Sequence, residues 1–149
     1  MSENVINGIN EGFKVNLGKE AAMELEDSYE SIIFLFYNDN LVMMFDSKKK
    51  IWKFPSGKKE KHESALECAI RETFEKTGAI LENSFPVGYY NTIKDEVVFK
   101  TAIYFGKVER FETRPEWCEA ELVKLFDKLP QDVQDSKIYS IILDYIKSR

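Results

Sequence analysis

The chain has little cysteine. Cys68 and Cys118 are its two thiols, and without CxxC spacing they outline neither a zinc site nor a disulfide framework. Cys68 falls inside a helical pattern and reads as a small apolar residue. Also missing is any run near the ~18 apolar residues of a membrane span. The N-terminus has neither the basic start nor the apolar core of a signal peptide, so a cytoplasmic location is expected. No internal repeat or low-complexity tract interrupts the chain. There is no basic surplus either: a net charge of −5 argues against a general nucleic-acid coat protein. What is present is the length of one domain, 149 residues, with the 44% hydrophobic content of a globular chain rather than a disordered one.

Residues 1–12 are polar and expected to be loose, followed by an alternating strand at Phe13–Leu17. Residues 18–30 read as a short helix or connector. Ser31–Tyr37 is a β-branched and aromatic run, expected as a buried strand. Asn38-Asp39-Asn40 is turn chemistry and Leu41–Phe45 the returning strand. Ile51–Phe54 is a short strand stopped by Pro55, with Ser56-Gly57 as a turn. A helix is expected over about Ser64–Thr77, stopped by Gly78. Ser84–Thr92 and Glu96–Val108 read as a hairpin connected through Asn91–Asp95. An acidic loop follows at Glu112–Glu119, then a strand at Glu121–Phe126 and an amphipathic helix at Ser136–Lys147. This order predicts an α/β or α+β sandwich.

The chemistry concentrates in residues 57–78. Ser64 and Glu67 form a capping box at the helix start. Leu66, Ala69, Ile70, Thr73, Phe74 and Thr77 follow helical spacing and form the expected core face, anchored by Phe74. Glu72 and Glu75 lie off that stripe, three residues apart, so their carboxylates project from one side. Such a pair suits Mg²⁺, which takes oxygen ligands and keeps several waters. Gly57 permits close backbone approach and offers a carbonyl ligand. Lys58 is placed to pair with a phosphate, and Glu63 with Arg71 to fix the turn against the helix. A plainer reading stands beside this one. Glu67–Arg71 and Glu72–Lys76 are i, i+4 pairs that stabilise any solvated helix by roughly 0.2–0.5 kcal/mol each. Lys48, Lys49, Lys50, Lys53, Lys58, Lys59 and Lys61 form either a solubilising loop or an electropositive rim for phosphates.

The segment resembles the signature of the Nudix hydrolases, G-x5-E-x7-R-E-U-x-E-E-x-G-U with U aliphatic. Gly57, Glu63, Arg71, Glu72, Glu75 and Gly78 match, and Phe54-Pro55 looks like the approach strand. The resemblance implies an α/β/α sandwich with a mixed β-sheet. It implies a single domain over 1–149, with 1–29 as an N-terminal extension and 57–79 as the signature box. It implies metal-dependent hydrolysis of a nucleoside diphosphate linked to another group, with Mg²⁺ or Mn²⁺ as cofactor. Glu72, Arg71 and Glu75 would be catalytic. Gly57, Glu72, Glu75 and a later carboxylate, Glu119 (or Glu116), would hold the metal. Lys58, Lys53 and Tyr89 would bind the substrate, with Tyr90 and Asn91 beside Tyr89.

Thr73 and Ala79 depart mildly from the aliphatic positions, and Ser56 replaces a frequent glycine. Lys76 departs strongly, standing where the family has a metal-binding glutamate. The layout looks like the small MutT-like enzymes, which implies an oxidised purine nucleoside triphosphate split to monophosphate and pyrophosphate. Two alternatives share these residues: a pyrophosphohydrolase acting on the RNA 5′ end, and a catalytically weak nucleotide-binding protein.

Overall fold

The structure, a computed structural model, describes residues 4–8 (backbone only), 12–114, 116 and 122–149. Its strands are β1 (Asn4–Gly8), β2 (Phe13–Leu17), β3 (Glu30–Tyr37), β4 (Asn40–Asp46), β5 (Ile51–Lys53), β6 (Ser56–Lys58), β7 (Ala79–Lys94), β8 (Val97–Phe111) and β9 (Leu122–Phe126); its helices are α1 (Ala65–Thr77) and α2 (Ser136–Lys147). The strands join in the order β1-β2-β7-β8-β3-β4-β5, with β6 pairing β3 and β9 pairing β4. β3 and β8 run parallel and the other pairs antiparallel, so the sheet is mixed.

β3 is the central element because its run Ile32-Ile33-Phe34-Leu35 is buried on both faces. Successive side chains of a strand face opposite ways. On one face Ser31 Oγ donates to the Ala65 carbonyl at 2.8 Å, tying β3 to the first turn of α1. On the other, the Phe34 ring lies 5.2 Å from that of Tyr139 in α2. The sheet therefore separates two helices, an α/β/α sandwich. Phe54 completes an aromatic trio, 4.5 Å from Phe34 and 5.2 Å from Tyr139. Its N–H also donates to the Tyr139 hydroxyl at 3.3 Å, fixing the approach to β6 against α2.

Several expectations are corrected. β1 pairs with β2, so residues 4–8 are strand rather than loose chain. Residues 18–29 do form the expected connector, with a short 3-10 helix at Ala21–Met23, whereas Glu30 already belongs to β3. Phe13, Val15, Leu17 and Leu25 belong to the core, which builds much of the N-terminal segment into the fold. The long hairpin turns at Asp95-Glu96, both left-handed, rather than through Asn91–Asp95. Ser56-Gly57 is not a turn: the pair is extended in β6, with Gly57 opposite Ser31.

α1 is rotated from the expected face. Its buried residues are Ala65, Cys68, Ala69, Glu72, Thr73 and Thr77, while Leu66 and Ile70 are exposed and Phe74 is half-buried. Its ends follow the sequence: Ser64 and Glu67 make the reciprocal capping box. Gly78 closes it in the left-handed region (φ 78°), where a Cβ would also collide with the Glu112 carbonyl. Among the described residues no helix is long and apolar enough to cross a membrane.

Phe54→Ala empties a fully enclosed site beneath β6. It should cost ~3–5 kcal/mol of unfolding free energy, read as a lowered midpoint in urea denaturation.

Candidate active site

Small residues bring α1 close to β6. Ala65, Cys68 and Ala69 form the face toward the sheet, and the Cys68 thiol donates to the Gly57 carbonyl at 3.3 Å. Burial pushes the Cys68 thiol above its ordinary pKa. One turn further on, Glu72 lies directly over Gly57. A Cβ at that position would collide with the Glu72 carboxylate. Gly57 is thus required for space, not for an unusual backbone angle.

Arg71 organises the carboxylates. Its Nε and Nη2 donate to the two oxygens of Glu63 at 2.5 and 3.0 Å, a bidentate pair. Nη1 donates to Glu72 Oε2 at 2.9 Å and to Glu75 Oε1 at 3.4 Å. Nη2 also reaches the Lys58 carbonyl at 3.1 Å, and Glu60 stands 3.8 Å from Nη1. Hydrogen bonds donated to Glu63 first, and then to Glu72, raise the Arg71 pKa, and the same contact holds the Glu63 carboxyl below its usual range. The Glu60 N–H donates to Glu63 Oε1 at 2.9 Å, locking the loop between β6 and α1. Lys76 Nζ lies 3.8 Å from Glu72 Oε1, on the oxygen that Arg71 leaves.

The structure therefore brings Gly57, Glu63, Arg71, Glu72 and Glu75 together. Lys58 reaches the network through its carbonyl, while its ammonium sits over the Tyr29 ring at 5.4 Å and is pushed up in pKa by the Tyr29 hydroxyl. Lys53 is paired with Asp46 at 3.2 Å. Asp46 also accepts from the Lys48 and Lys49 N–H groups, which orders the lysine-rich loop. Tyr89 stands apart from the Arg71 network, its ring covered by the Lys100 ammonium at 4.2 Å. Glu116 is exposed; Glu119 lies outside the described residues.

Sequence reasoning passed over a second polar group on the α2 side. Glu30, Thr101 and Tyr90 form one row across β3, β8 and β7. Burial pushes the Glu30 carboxyl up against a hydrogen bond from Thr101, and Glu30 feels the charges of Asp135, Lys53 and Glu72. Asp135 precedes α2 in a left-handed conformation (φ 46°) without capping the helix, and burial raises its carboxyl as well. A cavity of about 650 Å³ opens there, lined by Phe13, Lys49, Ile51, Thr92, Lys94 and Asp135 among others. The one available signal was a charged residue at the first position of an apolar strand and another just before an amphipathic helix.

The sequence profile of the NUDIX domain matches residues 30–139. YtkD of Bacillus subtilis (strain 168), whose name provisionally assigns it 8-oxo-dGTP diphosphatase activity, is 30% identical over 139 residues, covering 80% of this chain and 87% of that protein. The m7GpppN-mRNA hydrolase dcap-2 of Caenorhabditis elegans is 31% identical over 127 residues, covering 72% of this chain and 15% of that protein. The crystal structure of the Bacillus subtilis pyrophosphohydrolase BsRppH superposes with a TM-score of 0.78 at 22% identity, covering 99% of this chain and 97% of that one. The chain belongs to the NUDIX family, as a MutT-like Nudix hydrolase.

Nudix hydrolases generally require a divalent metal. The donors here fit such an ion when a phosphate shares it. Two carboxylates plus substrate oxygens are the usual Mg²⁺ arrangement, and the Glu72 carboxylate fills the space over Gly57 that a side chain would take. Among the described residues no group of three or more Asp, Glu, His or Cys could hold a metal without that help.

Because the folded Glu63 pKa is depressed below the ordinary 4.5, its ion pair contributes above that pH and is lost as pH falls through the folded value. Glu63→Gln should cost roughly 1.5–3 kcal/mol at pH 7, and the gap to the wild type should narrow progressively as pH falls below 4.5, measured by urea denaturation across that range.

Proposed function

We propose that the protein hydrolyses the diphosphate linkage of a nucleotide, splitting a purine nucleoside triphosphate, oxidised or not, into monophosphate and pyrophosphate. The observation that carries this reading is the Glu72 carboxylate, seated over Gly57 and held at Oε2 by Arg71. The name of the relative YtkD supports the substrate class.

Glu72, Glu75, the Gly57 carbonyl and Glu119 would hold Mg²⁺ or Mn²⁺. A divalent ion bound there supplies charge neutralisation of the diphosphate and activation of the attacking water. The chain's own residues do the rest. Arg71 holds Glu72 Oε2, which leaves Oε1 to face the ion, and the water proton would pass to the Glu72–Glu75 carboxylate pair. The new bond would join water oxygen to one phosphorus of the α–β linkage, the bridging P–O bond would break, and its electron pair would leave with the other fragment, the nucleoside monophosphate or pyrophosphate. Lys58 and Lys53 would meet phosphate oxygens as point charges, each giving up its present partner, Tyr29 or Asp46. The cavity beside Asp135, lined by Phe13, Ile51 and Thr92, would take the base, since the Tyr89 ring is already covered by Lys100.

A second reading, attack on the 5′ diphosphate of RNA, is favoured by Lys49 and Lys94 at the cavity rim and by the mRNA-hydrolase relative. The third reading, a weakly catalytic nucleotide-binding protein, is favoured by Lys76 beside Glu72.

The test is turnover of purified protein with a panel of nucleoside triphosphates and triphosphorylated RNA, in Mg²⁺ and in Mn²⁺. We expect pyrophosphate release from a purine nucleotide and a ~10²–10⁴-fold loss of kcat in Glu72→Gln. A higher kcat/KM on RNA would select the second reading, and no turnover on any substrate the third.

A further inference from the structure

We propose that the Lys76 ammonium is the resident counter-cation of Glu72 in the free protein, and that it makes uptake of a divalent metal depend on the arrival of a diphosphate. This rests on the metal-assisted reading of the site given above.

Glu72 is enclosed, with its side chain 11% exposed, and both of its oxygens have cationic neighbours. Arg71 takes Oε2 at 2.9 Å, and Lys76 stands 3.8 Å from Oε1. The two cations differ in how firmly they are held. Arg71 is locked by Glu63, Glu75 and the Lys58 carbonyl, so it cannot leave without breaking the loop that joins β6 to α1. Among the described residues Lys76 has a single ion-pair contact, longer than a hydrogen bond, and its side chain is 35% exposed. Its backbone is fixed, since the Lys76 carbonyl accepts Arg114 Nη1 at 2.9 Å, but its four-carbon stem is free to swing.

The local charge follows. Glu60, Glu63, Glu72 and Glu75 face two cations, Arg71 and Lys76, leaving a net charge of −2 in the cluster. A glutamate at position 76 would make it −4. Divalent-cation affinity is tuned by the charge of the ligand set, so the free site is a poor trap for a metal. A bound diphosphate changes the balance in two ways. It adds oxygen ligands of its own, and it offers the Lys76 ammonium another anion, freeing Glu72 Oε1 for the ion. Lys76 is then a positioning residue that passes from carboxylate to phosphate.

Calorimetric titration of the full chain with MnCl₂ alone, and with preformed Mn²⁺–pyrophosphate, tests this on wild type, Lys76→Met and Lys76→Glu, with circular dichroism melting to establish that each is folded. Wild type should bind Mn²⁺ alone weakly and Mn²⁺–pyrophosphate at least tenfold more tightly. Lys76→Met should tighten Mn²⁺ alone by roughly tenfold and Lys76→Glu further, while both narrow the advantage of the pyrophosphate complex. Equal Mn²⁺ affinity in all three proteins would overturn the proposal. The failure of the functional reading looks different: wild type would then turn over no nucleotide, while the Mn²⁺ titrations of the free proteins would still report whether Lys76 competes for Glu72.

Discussion

The structure depends on one close approach, that of α1 to β6 at Gly57. The Glu72 carboxylate occupies the space where any other residue at position 57 would put its Cβ. Everything around the site serves that contact. Ala65, Cys68 and Ala69 are small enough to let the helix lie down, and Ser31 ties its first turn to the central strand. Arg71 then clamps Glu72, Glu75 and Glu63 from the solvent side. A carboxylate so enclosed would be costly without partners, and here the partners are two cations whose grip differs.

That difference gives the site its character. Arg71 is structural: it welds the loop after β6 to the helix and holds one Glu72 oxygen in place. Lys76 neutralises the other oxygen through a looser contact and leaves the cluster short of the negative charge that a tightly bound ion needs. Glu30 links the two sides of the sheet electrically, sensing Glu72 and Lys53 as well as Asp135 across the sandwich.

Much of this was legible in the sequence. The apolar run at Ser31–Tyr37, the Ser64–Glu67 capping box and Gly78 located the central strand and both ends of α1, because each is a local signal. The signature spacing located Glu63, Arg71, Glu72 and Glu75. The face of α1 was not legible. Leu66, Ile70 and Phe74 are more hydrophobic than Ala65, Cys68 and Ala69, yet close packing selects the small residues and the Arg71 ion pairs keep Glu72 inside. Ser56-Gly57 looked like turn chemistry, and only its pairing with Ser31 reveals a strand. Lys53 looked available for phosphate, whereas Asp46, seven residues earlier, holds it. The turn at Asp95-Glu96 carries no glycine or asparagine to announce two left-handed residues. Tertiary contacts decide each of these cases.

The central claim is that Glu72, with Glu75, receives the metal and the diphosphate together. A crystal structure of the full chain with Mn²⁺ and a non-hydrolysable purine triphosphate analogue tests it most directly. The account predicts an anomalous manganese peak shared by Glu72, Glu75 and phosphate oxygens, with the Lys76 ammonium moved onto a phosphate. Manganese and analogue bound away from Glu72, with Lys76 still paired to that carboxylate, would contradict it.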